Sequence, residues 1–318
     1  MTTAWIFPGQ GSQVVGMGRH LYEQMPEARA VFDEADQTLG FGLSELCFEG
    51  PEERLTATEY AQPALLTVST ALVRAIRVIG GERLLEPTMV AGHSLGEYSA
   101  LVAGGALDFA TAIRLVRRRG ELMAAASEGA MAAVIGLNED TLEQICRETS
   151  DQLQRAGEHS STVVVANYNA PDQLVISGST HAISLAGQRA KSAGAKRVLP
   201  LKVSAAFHSP LMINAAEGMA REIDTVTVHD PSPPLLANVT AEPLHRAEDI
   251  RRELVSQIVA PVRWIASVQR MVADGIATVV EIGPGKVLTG LIRRIAPQVR
   301  MVNVSGIDDV HSYLAENR

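Results

Sequence analysis

A serine between two glycines is the first candidate for chemistry in this sequence. Residues 92–96 read GHSLG and match the pattern G-x-S-x-G, in which a strand turns sharply into a helix at the serine. Glycines on both sides let the backbone pass close to its neighbours. Free N–H groups at the start of the helix favour developing negative charge. We therefore predict that Ser94 is a nucleophile, with an ordinary strand-to-helix turn as the alternative.

A serine hydroxyl needs a base to become a nucleophile. Of the eight histidines, His208 is the best candidate, because it lies in a loop after a predicted strand at residues 201–203. His93 is adjacent to Ser94, and neighbours in a turn usually point apart. For His93, a structural place in the pocket wall and a contact with substrate are both open. The other six histidines lie among polar residues, which indicates exposure to solvent.

A tetrahedral oxyanion needs two hydrogen-bond donors. The N–H of Leu95, directly after the serine, is one candidate. The second should come from another loop at a strand end, and residues 8–11, PGQG, are the obvious source. The same loop could instead cradle a phosphate. However, it lacks the Lys-Ser/Thr ending of a P-loop and the spacing of a dinucleotide fingerprint, which disfavours a nucleotide-binding protein.

Three consecutive arginines, Arg117, Arg118 and Arg119, stand on one predicted helix. Successive residues of a helix are about 100° apart, so the three cannot share a face. At least one can face inward. A buried arginine needs a partner, and its planar guanidinium suits a carboxylate. For each arginine taken singly, a solvated surface position is the alternative.

The elements that must position these residues follow an α/β order. Apolar stretches at residues 4–7, 88–91 and 278–282 predict strands that run into glycine-containing loops. Helical periodicity follows, for example at residues 61–79, and Asp108 is predicted to cap the helix that carries the arginines. Glycine and proline are concentrated at strand ends, where an open α/β sheet places its sites.

The middle of the chain has a different pattern. Its order is strand, helix, strand, strand, helix, strand, which is typical of a ferredoxin-like module. Asn138 is predicted to cap the first helix, and residues 167–172 to join the two central strands. We predict a catalytic α/β domain at residues 1–128 and 201–318, with residues 129–200 inserted as a small subdomain.

Composition excludes several classes of protein. The 318 residues include 28 basic and 36 acidic side chains, a net charge of −8, which argues against a nucleic-acid surface. Two cysteines are too few for a disulfide framework or a Cys-rich zinc site. There is no secretory signal pattern and no apolar run of the roughly 20 residues that a membrane helix needs. We expect a cytoplasmic protein that binds neither membrane nor metal.

Five motifs occur together along the chain. They are FPGQGSQ at residues 7–13, GHSLGEY at 92–98, Arg119 with Gly120, FHS at 207–209, and EIGPG at 281–285. In this order they resemble the malonyl-CoA:acyl-carrier-protein transacylases, the stand-alone acyltransferases of fatty-acid and polyketide synthesis. The resemblance covers essentially the whole chain. It implies an α/β-hydrolase-like core with an inserted ferredoxin-like subdomain, in agreement with the predicted elements.

The resemblance also implies roles for matched positions. Ser94 would be acylated, with His208 as its base. The backbone N–H groups of Gln10 and Leu95 would form the oxyanion hole. Arg119, chosen among the three arginines by the glycine that follows it, would pair with the free carboxylate of a malonyl group.

Three further positions match the family. The backbone carbonyl of Gln257 would orient the histidine, giving a Ser-His dyad without a third acid. Asn167 matches an asparagine near the mouth of the active site. Phe207 resembles the malonyl-selecting version of its loop, where a phenyl ring would crowd a methyl on the α-carbon. Discrimination of that kind is worth only about 1–3 kcal/mol.

The implied reaction is a ping-pong transfer of malonyl from malonyl-CoA to the phosphopantetheine arm of an acyl carrier protein. Coenzyme A thioester would be a substrate, no cofactor is expected, and the family suggests a monomer. One rival is a proofreading acyl hydrolase of the same fold, which Arg119 disfavours. A transferase for a larger acyl group is also open. A non-catalytic docking module is disfavoured by the intact Ser94 and His208.

Overall fold

The computed structural model describes residues 2–126, 129–203 and 205–316. The strands among these residues are β1 (Thr3–Phe7), β2 (Met89–Gly92), β3 (Ala130–Ile135), β4 (Val163–Ala170), β5 (Gln173–Gly178), β6 (Arg197–Pro200), β7 (Leu235–Leu236), β8 (Pro243–Leu244), β9 (Thr278–Ile282) and β10 (Arg300–Val304). The helices are α1 (Arg19–Gln24), α2 (Pro26–Leu39), α3 (Leu43–Glu49), α4 (Glu52–Thr56), α5 (Thr58–Gly80), α6 (Gly96–Ala103), α7 (Phe109–Ala125), α8 (Glu139–Arg155), α9 (Thr180–Ser192), α10 (Ile213–Asp224), α11 (Ala247–Ser256), α12 (Trp264–Ala273), α13 (Val287–Ile295) and α14 (Ile307–Glu316).

The larger sheet has six strands in the order β10-β9-β1-β2-β7-β8, and all neighbours are parallel except β7 and β8. Trp5 on β1 lies between Val90 and Val280 of the adjacent strands. As expected for a parallel sheet covered on both faces, the central strands are mostly apolar, and all their residues except Thr3 are buried. The carboxyl ends of β1, β2 and β9 therefore meet at one edge, and each runs into a glycine-containing loop.

Helix α5 packs against α2, α7 and α14 within the main core. The segment Thr58–Arg83, which is α5 with the short turn after it, is long and apolar enough to cross a membrane by length and composition. However, 67% of its apolar window is buried inside the protein, as expected for a core helix. The sequence-based expectation that the protein does not bind a membrane stays a prediction.

The smaller sheet has four strands in the order β4-β5-β3-β6, and every neighbouring pair is antiparallel. One face buries Ala132 and Val134 of β3 in a core with α8 and α9. Met131 and Ala133, which alternate with them, join the main core. The predicted α/β fold with a ferredoxin-like insertion is thus confirmed. The predicted domain bounds stay a prediction, and residues 1, 128 and 318 among them lie outside the described residues.

Several local predictions are confirmed and others are wrong. Asp108 and Asn138 accept hydrogen bonds from the N–H groups of Thr111 and Thr141, as helix caps. Residues 201–203 do not form the predicted strand, because pairing with β3 stops after Pro200, apart from one bond from the Leu201 N–H.

The linker predicted at residues 167–172 is mostly strand. Strand β4 continues to Ala170 through two register shifts, and an isolated parallel bridge joins Asn167 to Val262. Bulges of this kind let a strand bend while it keeps its partners. Asn167 therefore lies in a strand rather than in a loop. Six further elements were not predicted from the sequence: α3, α4, α10, α14, β8 and β10.

Candidate active site

The serine turn is built by close contacts of the backbone. Ser94 has a φ of +50°, which is uncommon for a residue other than glycine. A Cβ on Gly92 would come 1.8 Å from the carbonyl carbon of Gly96, and one on Gly96 would come 2.1 Å from the Phe7 oxygen. Only glycine fits at either position. The Ser94 N–H donates to Asn238 Oδ1 at 2.7 Å, which fastens the turn to the loop after β7.

Ser94 and His208 are in hydrogen-bond contact although 114 positions separate them. The Ser94 Oγ lies 2.8 Å from His208 Nε2. The other ring nitrogen, Nδ1, lies 2.7 Å from the Gln257 carbonyl oxygen and 3.2 Å from that of Ala260. A carbonyl can only accept, so Nδ1 carries the hydrogen and Nε2 is left to accept from the serine.

The electrostatics of His208 favour a base rather than a cation. The residue is 4% exposed, and this burial, aided by the positive charge of Arg119, lowers the pKa of His208 to about 3. The imidazole is therefore neutral near pH 7. Its partners at Nδ1 are backbone carbonyls, which hold the ring without adding a negative charge.

The two predicted oxyanion donors lie on loops that meet beside Ser94. Leu95 is the N-cap of α6, and Gln10 follows Gly9 in the loop after β1. That loop is packed tightly, since a Cβ on Gly9 would come 2.4 Å from the His93 oxygen. Within the part of the chain that the structure describes, neither the Gln10 N–H nor the Leu95 N–H donates to a protein acceptor. Their role as an oxyanion hole stays a prediction.

Arg119 is the inward-facing arginine of the three. Its side chain is 1% exposed. The guanidinium nitrogen Nη2 donates to Gln257 Oε1 at 2.6 Å and to Ser94 Oγ at 3.2 Å. The other terminal nitrogen of Arg119, Nη1, donates to Gln62 Oε1 at 2.8 Å. By contrast, Arg117 and Arg118 pair with glutamates nearer the surface. A buried cation therefore touches the nucleophile, and its protein partners are neutral groups.

The remaining predicted site residues lie nearby but differ in their contacts. His93 Nε2 is 2.8 Å from Asn169 Oδ1, and the ring packs edge-on against Trp264, which favours a place in the pocket wall. Asn167, 6% exposed, makes no side-chain hydrogen bond to Ser94, His208 or Arg119, all of which are described. Phe207 is 8% exposed and belongs to the main core. The roles of these residues stay predictions.

A buried polar network next to Ser94 and His208 was not predicted from the sequence. Its members are Gln62, Glu97, Asn238 and Glu253, which are at most 5% exposed. Glu97 follows the GHSLG motif directly, and Gln62 stands beside the apolar run at residues 63–66; these were the available signals. Glu253 carries no such signal, since a glutamate in an amphipathic helix usually faces solvent. Asn238 carries none either.

Comparison with known proteins identifies the family. The model of the acyl transferase domain matches residues 4–308. The chain belongs to the acyl transferase family. It is 46% identical over 305 residues to the malonyl CoA-acyl carrier protein transacylase of Bacillus subtilis (strain 168), covering 95% of this chain and 93% of the relative. The family resemblance stated from the motifs is thus confirmed.

Solved structures agree with this assignment. The acyltransferase superposes on the acyl-carrier-protein-S-malonyltransferase from Bartonella henselae with a TM-score of 0.94 at 43% identity, covering 100% and 99% of the two chains. It superposes with a TM-score of 0.93 at 40% identity, covering 99% and 100%, on a malonyl-transacylase solved in complex with its type II PKS acyl-carrier protein.

Proposed function

We propose that this acyltransferase moves a malonyl group from coenzyme A to the phosphopantetheine thiol of an acyl carrier protein, through an ester on Ser94. The observation that carries the proposal is the buried Arg119 guanidinium 3.2 Å from the Ser94 hydroxyl. A cation at this place suits an acyl group with a free carboxylate. The names of the relatives, malonyl CoA-acyl carrier protein transacylase, support the same donor and acceptor.

The first half-reaction loads the serine. Ser94 Oγ attacks the thioester carbonyl while its proton moves to His208 Nε2, 2.8 Å away. The imidazolium is held by the carbonyls of Gln257 and Ala260. The N–H groups of Gln10 and Leu95 stabilise the oxyanion. The C–S bond then breaks, and the departing coenzyme A thiolate takes the proton from His208.

The second half-reaction uses the same groups in reverse. The phosphopantetheine thiol gives its proton to His208 Nε2 and attacks the carbonyl of the seryl ester. The C–O bond breaks, and Ser94 recovers its proton. Meanwhile Arg119 holds the malonyl carboxylate, which keeps the ester carbonyl oriented for the thiol and disfavours attack by water. We infer that no metal or bound cofactor takes part, since these residues supply each group that the transfer needs.

Partner and pathway follow from the same assignment. We propose an acyl carrier protein as the acceptor, and one relative of 40% identity was solved with a type II PKS acyl-carrier protein. Both fatty-acid and polyketide carriers present a phosphopantetheine thiol, so a direct comparison of the two as acceptors distinguishes the pathways. The monomeric state, the cytoplasmic location and exclusion of methylmalonyl by Phe207 stay predictions.

Intact-protein mass spectrometry after mixing with malonyl-CoA tests the proposal. The wild type should gain the malonyl mass, whereas Ser94→Ala should gain none. The loaded enzyme should then pass the group to a carrier protein faster than it loses the group to water. Uptake by Ser94→Ala would refute the mechanism, and faster loss to water would favour the proofreading hydrolase.

A further inference from the structure

A buried glutamate lies behind the nucleophile without touching it. Glu97 is 0% exposed and stands in the first turn of α6. One carboxyl oxygen accepts from the Asn238 N–H at 2.6 Å, and the other accepts from Gln257 Nε2 at 2.6 Å. Both oxygens thus face N–H donors, so Glu97 acts as an acceptor in both directions.

This acceptor determines which way the Gln257 amide points. The amide has one donor end and one acceptor end. Since Nε2 donates to Glu97, and also to the Ser94 carbonyl oxygen at 3.1 Å, Oε1 must face the other way. Gln257 Oε1 therefore accepts from Arg119 Nη2 at 2.6 Å. If the amide were reversed, its NH2 group would face the guanidinium, and two donors would be opposed.

A second buried carboxyl group lies beside the first. Glu253, 5% exposed, accepts from the Val239 N–H at 2.9 Å, and this N–H is next in the chain to the Asn238 N–H that donates to Glu97. Burial raises the pKa of both groups, and the nearby Glu253 raises that of Glu97 further.

We propose that Glu97 is a positioning residue for acyl-group selectivity that orients Arg119 through the amide of Gln257. The inference rests on the proposed malonyl transfer and adds the device that presents the cation. A carboxylate bonded directly to Arg119 would compete with the malonyl carboxylate. With the Gln257 amide between them, the Glu97 carboxyl group orients the guanidinium without contacting it, so the guanidinium has no anionic partner until substrate binds.

Three single substitutions separate this relay from general destabilisation. Glu97→Gln removes the negative charge and leaves one acceptor oxygen for two N–H donors, which weakens the relay. Glu253→Gln keeps the relay, because it leaves both oxygens of Glu97 as acceptors and its own amide oxygen still accepts from the Val239 N–H. Glu281→Gln is the matched control: Glu281 is also 0% exposed and accepts from the Leu288 and Thr289 N–H groups, on β9.

The readout is the ratio of kcat/KM for acylation by malonyl-CoA to that by acetyl-CoA, with the melting temperature of each variant. Glu97→Gln should lower this ratio by about tenfold or more, as when a hydrogen bond to a charged group is lost. Glu253→Gln and Glu281→Gln should keep the wild-type ratio within about threefold, although Glu281→Gln should melt at a lower temperature.

An unchanged ratio in Glu97→Gln would overturn the proposal, as would an equal fall in Glu281→Gln. An equal fall in Glu253→Gln would also overturn the proposal, since this variant leaves the relay intact. Should Glu97→Gln fail to fold, Gln257→Leu cuts the same relay while it keeps the backbone carbonyl at His208, and the ratio should fall likewise. Failure of the wild type to take up malonyl would instead refute the proposed function.

Discussion

The two sheets of this acyltransferase bury different kinds of polar residue. Around the parallel sheet, five Glu, Arg or His side chains are at most 5% exposed: Glu97, Arg119, His208, Glu253 and Glu281. Around the antiparallel sheet, in the described residues from 129 to 200, the polar side chains buried to a similar degree are uncharged: Thr149, Asn167, Asn169 and Ser177.

The difference follows from topology and from the cost of burying charge. Parallel strands bring their carboxyl ends and the starts of the following helices to one edge, where free N–H groups and loops converge. A buried charge is costly unless it is hydrogen-bonded, so the protein keeps such groups where they can serve the reaction or cap a helix. The antiparallel sheet has no such edge and is stabilised by apolar packing. We therefore expect it to contribute stability rather than chemistry.

The largest expected effect is at the base. His208→Ala should lower the rate of acylation by about 10²–10⁴-fold, because among the described residues no other base contacts the Ser94 hydroxyl. Stopped-flow acylation with malonyl-CoA measures the loss. His181→Ala, on the surface beside Glu158 in the antiparallel region, is the matched control and should acylate normally. Comparable losses in both variants would contradict the division of roles between the two sheets.

The next effect concerns the acyl carboxylate. Arg119→Ala should lower kcat/KM for malonyl-CoA on the order of 100-fold, as expected for loss of a hydrogen-bonded charge pair, and should tolerate acetyl-CoA. The neighbouring Arg118→Ala, whose side chain is 46% exposed, controls for the change of helix and charge. Unchanged selectivity for malonyl in Arg119→Ala would refute the assigned role.

A smaller effect is expected from the core of the antiparallel sheet. Leu174 on β5 is 0% exposed, and Leu174→Ala should lower the free energy of unfolding by about 2–5 kcal/mol. Leu174→Met, which nearly keeps the volume, should cost less than about 1.5 kcal/mol. Denaturant unfolding measures both. The ratio of malonyl to acetyl acylation should not change, and a fall in it would show that this sheet shapes the site.

The smallest change is expected on lowering the pH. Because burial lowers the pKa of His208 to about 3, the neutral base persists as the pH falls, and kcat/KM should change less than about twofold between pH 7 and 5. A histidine with a pKa of 6.5 would instead lose roughly thirtyfold of its base form at pH 5. A pH–rate profile decides between them, with circular dichroism to confirm folding.

The same pKa shift affects folding. Between about pH 6.5 and 3, unfolded His208 binds a proton that the folded residue does not bind, so the contribution of His208 to stability falls as the pH falls through this window. A shallower pH dependence of the unfolding free energy in His208→Ala would show this contribution directly.

Much of the fold was predictable from local patterns. The strands that end at Phe7, Gly92 and Ile282 are short apolar runs before glycine loops, and the structure places them side by side. Strand β10 was missed because it is a half-buried edge strand that begins with an exposed arginine. Residues 201–203 were overpredicted because an apolar run cannot show where its pairing partner ends.

The site was predictable where one motif carries the chemistry. Ser94 and His208 could be named from their turns and loops, although their contact could not be derived from spacing. The partners Gln62, Asn238 and Glu253 were missed, because their significance depends on the neighbours that desolvate them and bond their polar atoms. Those neighbours are remote in the chain: Asn238 reaches the Ser94 N–H from 144 positions away.

The sequence by itself determined the serine turn, because the G-x-S-x-G pattern at residues 92–96 is typical of a sharp strand-to-helix turn, and it determined which segments are apolar enough to form the sheets. Tertiary structure alone decided that Arg119 contacts the Ser94 hydroxyl, and that two buried carboxyl groups and the Gln257 amide lie behind it. The physical reason is the separation along the chain between the residues that interact. Turn motifs and hydrophobic periodicity involve near neighbours in the chain, whereas burial and the direction of a hydrogen bond are set by residues that only folding brings together.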